Sequence, residues 1–239
     1  MMSNHNKAIF LVLMSGIVWS FGAVVVKSMI DPQLYQLPYL IIRGLTVASI
    51  ISVYLLFNDK IDFIKNLLAF DKTTIVGGLL LTSTFIGFIY SITNTTAAVT
   101  LLCLAAMPFF TAILAYLFLK EKISINVWIS IVIATIGIII MAFGNTKESS
   151  FVGFVFGIAS SIGFAIFSVS LRWRKETPKF TTVAVAGLFC FLFATIMILF
   201  TDQVFFASSY NSSLFSLHGT IVCIGLILYS IGSKAIPAA

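Results

Sequence analysis

TTIVGGLLLTSTFIGFIYSITNTTAAVTLLCLAAMPFFTAILAYLFL, the run from Thr73 to Leu119, contains no aspartate, glutamate, lysine or arginine. A helix needs about 20 apolar residues to cross the hydrocarbon core of a bilayer, so this run holds two crossings. Working outward, the stretches from Ile123 to Thr146, from Ser149 to Leu171 and from Gln203 to Ser233 are equally free of charge. Over the chain 60% of residues are hydrophobic and 9% are charged, and the mean hydropathy is +1.11. A soluble domain carries roughly a quarter of its residues charged, so that class is excluded. About eight spans follow, at 8–26, 37–57, 74–91, 96–119, 125–143, 152–171, 181–200 and 213–232. Helix is the expected form, because lipid leaves backbone groups no partner outside the segment, and the alternation of a barrel strand is absent. The first span is longer than a signal-peptide core of 7–15 residues and no small-x-small cleavage site follows it, so it is read as retained.

The net charge of +6 is a topology signal rather than a nucleic-acid footprint. Alternating the loops puts Lys7, Lys60, Lys65, Lys72, Lys120, Lys122, Arg172, Arg174, Lys175, Lys179 and Lys234 on the side of the N-terminus. The other side has Lys27 and Lys147 alone, with Arg43 inside a span. Basic residues mark the cytoplasmic face. The reading is a multi-pass protein of the cell inner (plasma) membrane with both termini cytoplasmic. The expected partners are a small-molecule substrate and the lipid bilayer, with a homodimer as the oligomer to consider and no nucleic acid.

The chain also repeats itself. Trp19 to Lys27 aligns with Phe164 to Arg172, each an aromatic residue eight positions before a cation. Arg43-Gly44-Leu45 aligns with Ala186-Gly187-Leu188, and Tyr90-Ser91-Ile92 with Tyr229-Ser230-Ile231. The offsets are 145, 143 and 139, in chain order. This divides the chain into a first five-helix unit, 1–146, and a second of three helices, 147–239. Five spans are an odd number, so the second copy enters from the opposite face. Inverted repeats of this kind are a mark of secondary transporters, whose substrate sits at the midplane between the halves.

Chemistry-bearing motifs are lacking. Cys103, Cys190 and Cys223 lie within spans without metal-ligand spacing and read as small packing residues, and His5 and His218 read as isolated. No catalytic residue, metal site or cofactor is expected, and the protein is not expected to be an enzyme.

One block carries a family resemblance: Tyr90, then Thr95-Thr96-Ala97-Ala98, Pro108, Glu121, Trp128 and Gly137, with Trp19, Lys27 and Arg43 ahead of it. It resembles the EamA-type branch of the drug/metabolite transporter superfamily. The resemblance implies ten helices, in two five-helix halves, around a central cavity. This chain holds an inverted five-plus-five repeat lacking its last two helices. Tyr229 to Ala239 repeats the register of Tyr90 to Ala98, so about two further spans are expected beyond Ala239, or a second chain in their place.

Within this frame each candidate has two readings. Pro108 removes a mid-span backbone bond, as a substrate-facing break or as a packing kink. Arg43 lies about 9 Å inside its span at 1.5 Å per residue, and contacts an anionic substrate, or else snorkels to the outer interface or pairs with Asp31. Tyr90 and Asn94 share a face at i and i+4 and are the preferred cavity contacts, with Thr100 nearby. Trp19 faces either the cavity or the interfacial belt. Four residues read as structural: Lys27 suits the end of its helix, Glu121 is a latch on the cytoplasmic side, and Gly153 and Gly157 belong to a small-residue packing stripe. The function expected is alternating-access transport of a small organic metabolite or drug-like molecule. The alternatives are a non-transporting membrane protein, either lipid-modifying or scaffolding, and an inactive transporter fragment.

Overall fold

The structure is a computed structural model and describes residues 4–59, 64, 71–143, 150–173 and 179–233. These residues form α1 (Asn4–Lys27), α2 (Gln36–Asp59), α3 (Lys72–Asn94), α4 (Ala97–Ala105), α5 (Met107–Leu119), α6 (Ile125–Phe143), α7 (Phe151–Trp173), α8 (Lys179–Ile198) and α9 (Ser209–Gly232). Among the described residues there is no strand. Local signals set the helix starts. Asp71, Thr96 and Ser208 each stand in extended or near-extended backbone and accept an amide proton from the first turn with the side chain, satisfying a donor that the helix itself cannot.

α4 and α5 are two halves of one apolar span, Ala97–Leu119. The break falls at Ala106, whose amide bonds Cys103 O at 3.1 Å, and Pro108 occupies the first turn of α5. Proline is tolerated there because that position has no intrahelical donor duty. Seven described helical stretches are long and apolar enough to cross a membrane. α6 is apolar over the shorter stretch Ile125–Ile140, about 24 Å at 1.5 Å per residue. Its isoleucines and valines are largely exposed, as are one flank of α1 (Phe10, Leu13, Ile17, Phe21) and of α8 (Leu188, Leu192, Ile196). Such a belt of exposed aliphatic side chains suits lipid and not water. The chain is an all-α integral membrane protein.

Three helix pairs hold the bundle: α3 on α7, α2 on α8 and α1 on α9. Small residues make the closest approach between α2 and α8. A Cβ on Gly44 would meet Gly187 O and Phe191 N, each at 2.7 Å. A Cβ on Gly187 would meet Gly44 O and Ala48 N, again at 2.7 Å. Lipid tails supply no hydrophobic drive for helix association, so backbone proximity and interhelical hydrogen bonds must do it. Between α3 and α7, Thr84 donates to Ser160 O at 3.2 Å while Ser160 donates to Thr84 O at 2.9 Å. Thr82 donates to Ala186 O of α8 at 2.9 Å. Each such bond contributes about 0.6 kcal/mol in measured cases.

Helix ends assigned to one side by counting spans do meet. Lys27 donates to Thr95 O at 2.9 Å, Ser150 N bonds Asn94 O at 3.1 Å, and Asn211 bridges the backbone of Ile30. At the other end Arg172 pairs with Glu121. Of the basic residues used for orientation, Lys60, Lys65, Lys147, Arg174, Lys175 and Lys234 lie outside the described residues, as does the end of the repeated Tyr229-to-Ala239 register.

Candidate functional site

Two adjoining cavities lie between the helices, open to the outside along exposed Gly16 and Ser20 of α1 and Leu101 of α4. The first, of about 280 Å³, is walled by α1, α2, α3, the α4–α5 break, α7 and α9. The second, of about 300 Å³, continues toward the end where Arg172 and Ser233 lie. Gly16, Trp19, Leu104, Met107 and Phe164 line both. Trp19 and Phe164 meet edge to face at 5.4 Å, a favourable geometry for aromatic pairs, and Trp19 is pinned by a 3.3 Å bond from Nε1 to Val222 O. Gly225 of α9 lies against the Trp19 indole, where a side chain would collide with it.

Polar groups in the first cavity converge on one network. Arg43 Nη1 donates to Tyr39 Oη at 2.7 Å, and Tyr39 Oη lies 2.7 Å from His218 Nδ1. Arg43, Tyr39 and His218 are 4%, 0% and 2% exposed. The phenol accepts from the guanidinium, and its oxygen and His218 Nδ1 share one further hydrogen bond whose direction is set by the imidazole tautomer. Nε2 packs against Gly22 of α1. The guanidinium carbon stands 4.2 Å from the Phe85 ring centroid, with Tyr39 at 5.6 Å and Phe88 at 5.7 Å. These faces partly offset the cost of holding a cation within a span. Among the described residues no carboxylate pairs with Arg43, and its Nε is buried without an acceptor.

The structure sorts the sequence candidates. Trp19, Arg43 and Pro108 stand on cavity walls, Pro108 on the second. Tyr90 lines neither of these cavities: its ring stacks on Phe156 at 5.1 Å. Asn94 returns its amide to Tyr90 O at 2.8 Å and borders a shallow polar recess with Lys27, Gln33 and Thr93 to Ala97. Thr100 is fully buried, bonded to Ser91 and Thr95 at 2.9 Å each. Glu121 takes Arg172 Nη2 at 2.7 Å. That pair joins the end of α5 to the end of α7, and Lys120 at φ 56° makes the left-handed turn that closes α5. Gly153 faces Asn94 and Thr95, and Gly157 faces the side chains of Cys103 and Ser91, each too close to admit a Cβ without a shift.

Sequence reasoning missed His218 and Tyr39. An imidazole inside a span is a functional candidate by default, and Tyr39 stands at i−4 from Arg43. That spacing was the signal available. Tyr229 was noticed as a repeat mark only; it packs on Trp19 and Phe164 and bonds Ser168.

The fold and site define a multi-pass helical membrane protein with a half-open, mostly apolar cavity between its helix pairs. A model of the EamA-like transporter family matches residues 6–143, more than half of the chain. The chain therefore belongs to the EamA-like transporter family. Among curated proteins, none matches the chain.

Proposed function

We propose that the protein is a secondary transporter that carries a small organic molecule across the cell inner (plasma) membrane by alternating access. The observation that carries this reading is the pair of cavities meeting at Trp19 and Phe164. These two residues are aligned with each other by the internal repeat at the offset of 145. The same alignment pairs α1 with α7, α2 with α8 and α3 with α9. Packing of α3 on α7 and of α1 on α9 is what a two-fold relation between inverted halves demands, and α2 on α8 maps onto itself. The reciprocal Gly44–Gly187 contact fits an axis running between those glycines. Two halves that exchange conformations about such an axis expose the central cavity to each face in turn.

Orientation follows from charge: Lys72, Lys120, Lys122 and Arg172 share the end bearing the N-terminus, so both termini are cytoplasmic. Trp19 and Arg43 contact substrate, and Pro108 shapes its exit at the α4–α5 break. The homodimer remains a proposal whose test is the mass of the purified complex. Transport itself is tested by counterflow in proteoliposomes preloaded with a cell metabolite extract. The reading expects at least one labelled solute to accumulate transiently with the wild type and none with Gly16→Leu, which fills the joint between the cavities. Absence of any protein-dependent flux would overturn it.

A further inference from the structure

Resting on the transporter reading, the chemistry of the first cavity narrows the class of substrate. Thr84 and Ser160 spend their hydroxyl protons on each other's backbone carbonyls, and Ser20 donates to Ile17 O at 2.7 Å. Trp19 Nε1 is bound to Val222 O. What remains is Arg43, with one hydrogen bond, three further N–H groups on its two terminal nitrogens and a buried Nε lacking an acceptor. A guanidinium has five N–H donors and no acceptor, so the charge that the described lining of this cavity carries is positive, and the hydroxyl oxygens of Thr84, Ser160 and Ser20 add neutral acceptors. The described residues lining both cavities include no aspartate or glutamate. The rest of the lining is largely apolar and aromatic: Phe85 and Phe88 lie against the guanidinium itself, and Trp19, Leu101 and Leu104 complete the wall.

We infer that the cavity binds a small organic monoanion whose carboxylate is taken by Arg43 and whose apolar body lies against Trp19, Phe85 and Phe88. A carboxylate accepts two parallel N–H bonds from a guanidinium fork, the strongest pairing available to it, and would take up two of the N–H groups that Tyr39 leaves unmet. One positive group matches one negative group. A zwitterion brings an ammonium for which the described lining offers no carboxylate, and a dianion brings a second charge into a wall of phenyl rings. Tyr39 is a positioning residue here: through its hydroxyl it holds the guanidinium and orients His218. The volume of about 280 Å³ sits at the lower edge of small-molecule sites, roughly 300–1,000 Å³, and suits a body of about one ring.

The test is equilibrium binding to the purified full chain in detergent, read by Trp fluorescence and by thermal unfolding. The probes are benzoate, its uncharged isostere benzamide, and phenylalanine as zwitterion. Benzoate is expected to bind at least tenfold more tightly than benzamide (about 1.4 kcal/mol) and more tightly than phenylalanine. Arg43→Gln abolishes the preference, while Arg43→Lys, which keeps the charge but not the fork, retains part of it. Equal affinity for benzoate and benzamide in the wild type overturns the inference without any variant, as does an undiminished preference in folded Arg43→Gln. Binding selectivity with no flux of any solute would reject the transporter reading and leave the anion site standing. Flux of neutral solutes with no benzoate preference would do the reverse.

Discussion

Consider Gly44→Ala, a single methyl added where α2 crosses α8. Its Cβ would stand 2.7 Å from Gly187 O and from Phe191 N. That is about 0.7 Å inside the 3.4 Å at which ordinary contact begins. Both obstructing atoms are backbone, so no rotamer change relieves them; the two helices must separate along much of their shared length. Overpacking of this kind costs about 1–3 kcal/mol, against which alanine returns about 0.5–1 kcal/mol of helix propensity over glycine. A net loss of about 0.5–2 kcal/mol is expected for Gly44→Ala, and the same for Gly187→Ala. The double variant should lose less than the two together, because the separation forced by the first methyl makes room for the second; contacting sites couple in this way. The control is Gly137→Ala on α6, which has nothing within 4 Å of its would-be Cβ and should be neutral or slightly stabilising. Reversible unfolding in mixed micelles gives all four values. If Gly44→Ala and Gly187→Ala match Gly137→Ala, or if their effects simply add, the close crossing is wrong.

Other outcomes follow from the same geometry. Glu121 and Arg172 are partly buried, with side chains 27% and 17% exposed, so a double-mutant cycle should give a coupling of about 0.5–1.5 kcal/mol, above the exposed-pair median of 0–1; a cycle that closes at zero removes the latch. Tyr90→Ala should reduce stability by about 1–2 kcal/mol through loss of the Phe156 stack and lower transport only in proportion to folded protein, whereas Tyr90→Phe leaves both unchanged; a selective transport defect in well-folded Tyr90→Ala would return Tyr90 to the substrate path. All eight acidic residues fall in loops or at helix ends by sequence, so flux should not follow an imposed pH gradient; dependence abolished by neutralising one of these acids would contradict this. A monoanionic substrate would instead respond to membrane potential, by about 2.3 kcal/mol per 100 mV.

What the sequence made legible was set by charge and proline. Spans stand out because charges are confined to the gaps, and the Ala106 break because Pro108 cannot continue a helix. Two pairs of repeat marks also touch in the structure, though the alignment alone did not say so: Trp19 with Phe164, and the backbones at Gly44 and Gly187. Which face of each span turns inward was not legible. These helices are apolar all round, so period gives no direction, and lipid makes no demand for a polar outer face. Tyr90 and Asn94 share a face, but that face meets Phe156 and the local backbone. His218 looked isolated because its partners, Tyr39 and Arg43, lie almost 180 positions away, and only the docking of α9 beside α2 joins them. Polar residues in spans were the right signal. Their grouping required the packing.

Alternating access is tested most directly at Gly16, which lines both cavities and has open space around its would-be Cβ. Gly16→Cys, in a background with Cys103, Cys190 and Cys223 replaced by alanine, would be reconstituted in sealed, oriented vesicles. A membrane-impermeant maleimide is then added from one face or the other. The account predicts labelling from both faces, with a transported solute shifting the ratio of the two rates and labelling abolishing flux. Labelling confined to one face whatever solute is present, with flux continuing in the labelled protein, would contradict it.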